Sequence, residues 1–153
     1  MAKFLYSMQN VLNIKERLET QAKTEFAEMN NRLSIEQDTM RRLVKRMNMY
    51  EQLAKDSATQ NVDIVEMRRC NEAIKIIKNQ ITQQAVRIRI AERNVDNAMK
   101  KLTEAVQDRK IHEKLKEKAF DEFKLELNAQ EMKEIDETVT KMSNCCLEKE
   151  YYG

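Results

Sequence analysis

The sequence predicts an all-α protein, a long antiparallel two-helix coiled coil (helical hairpin) with a single-helix carboxy-terminal overhang. Its 153 residues include one Gly and no Pro, which leaves few residues for the turns of a globular core. Charged residues make up 35% of the chain and hydrophobic residues 41%, a composition typical of coiled coils. Apolar residues also recur at every seventh position through much of the second half, as in a heptad repeat.

The second helix is predicted over residues 63–142, where the repeat is most regular. Two interleaved sets of residues, three and four positions apart, form a seam of about five heptads. The first set is Met67, Ile74, Ile81, Ile88, Val95 and Leu102. The second set is Cys70, Ile77, Gln84, Ala91, Ala98 and Ala105, in which Gln84 is a polar break.

The first helix, predicted over residues 3–56, follows the same design less regularly. Its expected seam begins with Phe4, Met8, Val11, Lys15, Leu18, Ala22, Glu25 and Met29. The phase then slips, and the seam resumes with Leu33, Glu36, Met40, Leu43, Met47, Tyr50 and Ala54. A four-residue step of this kind is a stutter, which locally unwinds a left-handed supercoil.

The connection is predicted over residues 57–62, where small polar residues gather and the apolar pattern lapses. Asp63 and Glu66 have the spacing of a capping box, which places a helix start there. A connection this short makes the helices antiparallel neighbours. Residue i of the first helix then faces roughly residue 120 minus i of the second.

This register brings the two polar seam residues, Glu36 and Gln84, to the same level. We interpret them as a register pair, since a polar pair in a seam fixes alignment at some cost in stability. The same register places Phe4 opposite about residue 116. From residue 117 to residue 142 the second helix is therefore expected to lack a partner within its own chain.

The unpaired segment keeps apolar residues three or four positions apart, which predicts a docking face for another protein. Residues 119–137 also carry seven acidic and two basic side chains. The alternatives are fraying or self-association with a second copy. Residues 143–153 are expected to form a flexible tail. The predicted docking residues are Phe120, Phe123, Leu127, Ile135 and Val139.

Other function classes have little support in the sequence. A helical hairpin has no concave pocket, and neither a phosphate-binding loop nor an HExxH motif occurs, so we expect no enzyme and no cofactor. His112 is the single histidine and Cys145 and Cys146 are adjacent, so no metal site is expected and the thiols are expected to be reduced. The net charge of +2 argues against nucleic-acid binding. The chain also lacks a membrane-spanning run and a signal peptide, which predicts a cytoplasmic protein.

Three stretches resemble a known family. They are "FLYSMQNVLNIKERLETQAKTEFAE", "VDIVEMRRCNEAIKIIKNQI" and "EKLKEKAFDEFKLELNAQEMKEIDE". Together they resemble the flagellar export protein FliJ family of the type found in Gram-positive bacteria, and the resemblance covers most of residues 1–142. The third stretch is the most specific, because "EKLKEK", two phenylalanines and "EMKEID" occur in that order.

The resemblance implies a non-enzymatic component of the flagellar type III export apparatus, which serves flagellum assembly and motility. Proteins of this family are similar to the stalk of rotary ATPases. Their terminal end docks in the hexameric export ATPase FliI, and they contact the export-gate protein FlhA and the export chaperones. The implied location is cytoplasmic, peripheral at the cytoplasmic face of the cell membrane. No nucleic acid and no direct membrane insertion are implied.

In this family the gate contact lies nearer the turn, and the residues that match it in type are Leu43, Tyr50 and Ile77. Ala73 replaces a larger aromatic residue there, and the predicted register places the three matching residues in or beside the seam. Two other functions remain open from the residues. One is the analogous stalk of a virulence type III secretion system, and the other is a self-associating structural coiled coil.

Overall fold

The computed structural model describes residues 2–60 and 63–151, and the side chains up to residue 149. Its elements are helix α1, Gln9–Thr59, and helix α2, Ile64–Tyr151. The chain is an all-α helical hairpin, which confirms the predicted fold class. The residues form two compact units. The first comprises the chain up to Arg17 and from Gln107 onward, and the second comprises Leu18–Val106.

The helix boundaries differ from the predicted ones at three ends. Helix α1 begins at Gln9 rather than near residue 3 and continues to Thr59 rather than residue 56. Helix α2 continues to Tyr151, past the predicted end at residue 142 and through most of the predicted tail. No Pro interrupts the chain and its single Gly is residue 153, so nothing in the local sequence ends either helix early. Residues 61 and 62 of the predicted connection lie outside the described residues.

Helix α2 has an N-terminal cap at Asp63. The Oδ1 atom of Asp63 accepts hydrogen bonds from the backbone N–H groups of Val65, over 3.1 Å, and Glu66, over 3.4 Å. These N–H groups have no partner within the helix, so a carboxylate at this position stabilises the first turn. The backbone N–H of Met67 then donates to the carbonyl of Asp63 over 3.1 Å.

In the second unit, the seam of α2 agrees with the heptad prediction. Cys70, Ile77, Gln84, Ala91 and Ala98 are all buried, at 2–8% exposure. The alternating set is half-buried throughout, namely Met67, Ile74, Ile81, Ile88, Val95 and Leu102. Three of these five buried residues, Cys70, Ala91 and Ala98, are small, so the two helices can approach closely there while the larger side chains of the other set cover their edges.

The seam of α1 in this unit runs without the predicted stutter. The protected positions alternate steps of three and four from Glu19 onward, through Ala22, Phe26, Met29, Leu33, Glu36, Met40, Leu43, Met47, Tyr50 and Ala54. Leu18, predicted in the seam, is 45% exposed, while its neighbour Glu19 is only 6% exposed. The prediction followed the more apolar of two adjacent residues. The continuous heptad phase set by the rest of the helix overrides that local preference.

In the first unit, α1 and α2 also pack antiparallel. Leu12 is buried in this unit, at 3% exposure. Beside it, the Nζ atom of Lys15 lies 3.4 Å from a carboxylate oxygen of Asp108. Lys15 was predicted in the seam, and its side chain is 27% exposed, so its aliphatic stem covers apolar surface while its amine reaches water.

No described helix carries an apolar stretch long enough to cross a lipid bilayer.

Candidate functional site

The candidate site lies in the first unit and begins with a cluster of aromatic rings. Phe4 packs against Phe120, with ring centroids 5.1 Å apart and an interplanar angle of 67°. It also packs against Phe123, with centroids 5.4 Å apart, and its ring stacks on Tyr6 at 6.4 Å. Phe120 and Phe123 therefore have a partner within the chain, and the prediction that the unpaired segment begins at residue 117 is wrong.

The extended amino-terminal segment accounts for this difference. Residues 2–6 are not helical, and the backbone N–H of Gln9 donates to the carbonyl of Tyr6 over 3.2 Å where α1 begins. An extended residue advances about 3.3 Å, against 1.5 Å in a helix. The segment therefore reaches further along α2 than a helical one would. The alternation of half-buried Phe4 and Tyr6 with Leu5, which is 81% exposed, is the pattern of an extended chain.

The aromatic cluster has a charged border. The Nζ atom of Lys124 lies 4.5 Å from the centroid of the Phe120 ring, in range for a cation–π interaction. Arg109 and Glu113 form an ion pair of 2.7 Å one turn apart on α2. Phe4 and Phe120 also line a shallow groove with Leu12, Lys116 and Glu117. Sequence reasoning missed Tyr6, Leu12 and Lys124, and the two-residue spacing of Phe4 and Tyr6 was the signal for the first.

Beyond the cluster, α2 has no covering partner among the described residues. Leu127 is half-buried, and every residue from 128 to 149 is exposed. We call residues 128–149 the overhang. Four of its apolar residues, three or four positions apart, are 57–66% exposed. They form the overhang stripe, which consists of Met132, Ile135, Val139 and Met142.

The five predicted docking residues divide between these two surfaces. Phe123 and Leu127 are half-buried, and Phe120, although 38% exposed, contacts Phe4, whereas Ile135 and Val139 belong to the overhang stripe. From Leu127 to Ile135 the step is eight residues, and at about 100° per residue the two lie about 80° apart around the helix. The residues that would continue the covered face are polar, namely Gln130, Glu134, Glu137 and Lys141. The single docking face predicted from the sequence therefore consists of two separate surfaces, one formed by Phe120, Phe123 and Leu127 and the other by the overhang stripe.

The predicted gate-contact residues lie in the second unit. Ile77 is buried at 3% exposure, so it offers no surface to a partner. Leu43 and Tyr50 are half-buried, and each keeps one edge accessible. Leu43, Tyr50 and Ile77 therefore all lie in or beside the seam, as expected from the predicted register.

The predicted register pair makes direct contact. The Nε2 atom of Gln84 donates to the backbone carbonyl of Glu36 over 2.9 Å and also to the Glu36 carboxylate. Gln84 is 4% exposed, so its amide is satisfied by the neighbouring helix rather than by water.

The remaining reactive side chains do not converge. Cys70 is buried in the seam, while Cys145 and Cys146 are exposed free thiols. No group of three or more His, Cys, Asp or Glu residues with metal-binding geometry occurs in the ranges that the structure describes. The Nδ1 atom of His112 is buried and has no hydrogen-bond partner among those residues. The most conspicuous feature left is the overhang stripe.

A family model described as "Flagellar FliJ protein" matches residues 4–144. Neither a curated protein nor a solved structure matches the chain. The matched range includes all of α1, α2 up to residue 144, the aromatic cluster and the overhang stripe.

Proposed function

This chain belongs to the flagellar FliJ protein family, and from that membership we propose that it is the non-catalytic stalk of the flagellar type III export apparatus. Its family makes it a component of that apparatus. In the proposed role, the overhang docks in the hexameric export ATPase, FliI. The rest of the hairpin links this ATPase to the export gate, FlhA, and to export chaperones. The chain would act at the cytoplasmic face of the cell membrane without entering the bilayer.

The overhang stripe is the observation that carries this proposal. Its four residues expose more than half of their surface, and apolar residues aligned on one side of a helix are characteristic of a docking surface. Burying such a side chain contributes about 1.5–3 kcal/mol. Covering the stripe with a partner therefore contributes several kcal/mol of favourable binding free energy, from which the entropic cost of association must be subtracted.

The aromatic cluster supports the docking role in a different way from that predicted by the sequence. Phe120 and Phe123 both contact Phe4, so each already has a partner within the chain, although Phe120 remains 38% exposed. We assign them a positioning role, in which the cluster fixes the helix immediately before the overhang. A helix held at its base loses less conformational freedom on docking than one that frays along its whole length.

For the gate contact, the accessible edges of Leu43 and Tyr50 are the better candidates, and Ile77 supports them from within the seam. Tyr50→Ala is expected to weaken FlhA binding and, because Tyr50 is a half-buried seam residue, to lower the free energy of unfolding by only about 1–2 kcal/mol. Ile77→Ala is expected to lower the free energy of unfolding by about 2–4 kcal/mol. Equal effects of both variants on FlhA binding, with no loss of stability in either, would contradict this assignment.

The main experiment is a pull-down of the purified export ATPase with three forms of the chain. Truncation after Asn128 removes all but the first residue of the overhang and keeps the aromatic cluster, unlike a truncation at residue 116, which would also remove the partners of Phe4. The double variant Ile135→Ser/Val139→Ser alters only the stripe. Gln130→Ser/Lys141→Ser is the matched control, because these residues lie on the opposite side of the same helix segment.

We expect the truncated chain and the stripe variant to lose at least about tenfold in ATPase affinity. The control should bind like the unchanged chain, and all forms should keep their helicity by circular dichroism. Normal ATPase binding by the truncated chain would refute docking through the overhang.

A further inference from the structure

A second apolar surface, unused by the proposed function, lies in the second unit. Ile35 of α1 and Ile90 of α2 are 53% and 56% exposed, and they line one groove together with Met29, Arg32 and Arg87. We call this the Ile–Arg groove. Both isoleucines point away from the seam, where a two-helix coiled coil normally carries polar residues.

The same chemistry continues along this face toward the turn. Residues separated by seven or fourteen positions share a face of a coiled-coil helix. Arg42 and Met49 follow Ile35 at these intervals, and Ile76 precedes Ile90 by fourteen. Met49 and Ile76 are 53% and 61% exposed. Exposed apolar residues therefore recur over several turns of both helices, with Arg42 between Ile35 and Met49 on α1, and both apolar residues and arginine are enriched at protein interfaces.

Basic side chains predominate around this groove. Arg32 and Arg87 line it together with one carboxylate, Glu36, which contacts the side-chain amide of Gln84. The neighbouring stretches, residues 39–50 and 73–91, together carry eight basic and no acidic side chains. The guanidinium group of Arg32 lies 2.5 Å from a carboxylate oxygen of Glu28, and this ion pair partly neutralises its charge. Arg87 forms no ion pair with any residue that the structure describes. A ligand for the groove should thus be an amphipathic helix whose apolar stripe is bordered by carboxylates.

The overhang is a helix of that kind. The overhang stripe has Glu131 on one border and Asp136 on the other, by their angular positions around the helix. Glu131 also lines an apolar trough with Ile135 and Val139. Residues 128–142 carry four acidic and two basic side chains, opposite in net sign to the groove.

We propose that the overhang of one copy docks in the Ile–Arg groove of a second copy. The overhang stripe would cover Ile35 and Ile90, and the bordering carboxylates would face Arg32 and Arg87. The partner for the groove is a second copy of the chain, because the overhang and the groove of the same sequence have complementary apolar and charged patterns. Self-association would use the surface proposed above for the ATPase and would therefore compete with it, but it does not require that function.

Sedimentation equilibrium of the full chain, at about 1–200 µM and at low and high salt, tests the proposal. We expect concentration-dependent association that weakens as salt is raised, because the charges at the groove border are exposed and screened. Arg87→Glu, Glu131→Arg and Ile90→Ser should each weaken association at least about tenfold. Arg89→Glu is the matched control, since Arg89 is exposed and lies about 160° from Arg87 around α2.

Mixing the Arg87→Glu and Glu131→Arg chains gives the decisive measurement. The reversed charges face each other in that mixture, so association between the two chains should recover although neither associates alone. If the chain stays monomeric at every concentration at low salt, the proposal is wrong. This is also the result expected if the groove binds only a helix of another protein. Association that is unaffected by Ile90→Ser overturns it as well.

The two proposals can fail separately. Arg87→Glu leaves the overhang unchanged, so this variant should bind the export ATPase normally in the pull-down. Loss of self-association with retained ATPase binding would support the groove assignment. Loss of ATPase binding in Arg87→Glu, at unchanged helicity, would contradict the division of roles between the two surfaces.

Discussion

Gln84 of α2 donates a hydrogen bond from its side-chain Nε2 to the backbone carbonyl oxygen of Glu36 in α1, over 2.9 Å. The same Nε2 atom also contacts the Glu36 carboxylate. The amide thus binds the backbone of the opposite helix as well as a side chain. Because Gln84 is 4% exposed, a shift of one helix along the other would leave a buried amide without a partner, at a cost of about 1–3 kcal/mol.

Replacing both residues, as Glu36→Leu/Gln84→Leu, should make the hairpin more stable but less uniquely aligned. A polar pair in a seam is often less stabilising than apolar residues of similar volume, so we expect a gain of about 1–2 kcal/mol in the free energy of unfolding. The register should become mixed, since no buried polar group then selects one alignment.

Urea unfolding measures the first effect. Electron–electron distance measurements between spin labels at Asn31 and Arg89, in a chain otherwise free of cysteine, measure the second. These two positions are exposed. A broad or double distance distribution is expected in the double variant and a single narrow one in the parent. A narrow distribution in both would remove the register role from this pair.

Phe4→Ala should release the amino-terminal segment from α2. Phe4 contacts both Phe120 and Phe123, and truncating a half-buried aromatic residue in such a cluster costs about 1–2 kcal/mol. Amide hydrogen exchange should quicken for residues 2–12 and for residues 117–127. Leu5→Ala is the control, because Leu5 is 81% exposed. Equal exchange in the two variants would mean that the cluster does not hold the segment.

Sequence reasoning succeeded where one physical signal dominated and failed where two competed. The seam of α2 was predictable because aliphatic residues at Ile74, Ile81 and Ile88 repeat without a rival phase. At Leu18 and Glu19 the local preference for burying Leu opposes the heptad phase of the whole helix, and the phase prevails. The contact of Phe4 was missed because its position depends on how many residues before Gln9 are extended rather than helical.

The candidate site shows the same limit. Ile135 and Val139 were predictable from their spacing and are exposed as expected of a docking surface. Their separation from Phe120 and Phe123 was not, because it depends on an eight-residue step after Leu127 and on the reach of the amino-terminal segment. The groove beside Ile35 and Ile90 requires two helices in register, which no single-helix pattern reveals.

Glu19→Leu tests the corrected phase of α1. Glu19 is 6% exposed and its carboxylate lies 3.1 Å from Lys23. An apolar residue at a buried seam position should stabilise the hairpin by about 1 kcal/mol relative to a charged one. Leu18→Gln should change the free energy of unfolding by less than about 0.5 kcal/mol, since an exposed residue is replaced. If Leu18 rather than Glu19 lay in the seam, Leu18→Gln would be strongly destabilising. Thermal and urea unfolding of the two variants therefore distinguish the phases.

The overhang should be the least protected helical segment of the isolated chain. Every described side chain from residue 128 to residue 149 is exposed, and a helix without tertiary packing is only marginally stable in water. We expect amide exchange to quicken progressively from Asn128 toward the end of α2, and to be much faster there than between Ile77 and Ala98. Measurement near 1 µM limits self-association, and a chain truncated after Asn128 is the control for the remaining amides.

Adding the export ATPase should slow exchange at Ile135 and Val139 while leaving the Ile77–Ala98 segment unchanged. Slow amide exchange throughout the overhang in the dilute, isolated chain would mean that this helix is stable without a partner. Docking would then not be needed to order the segment.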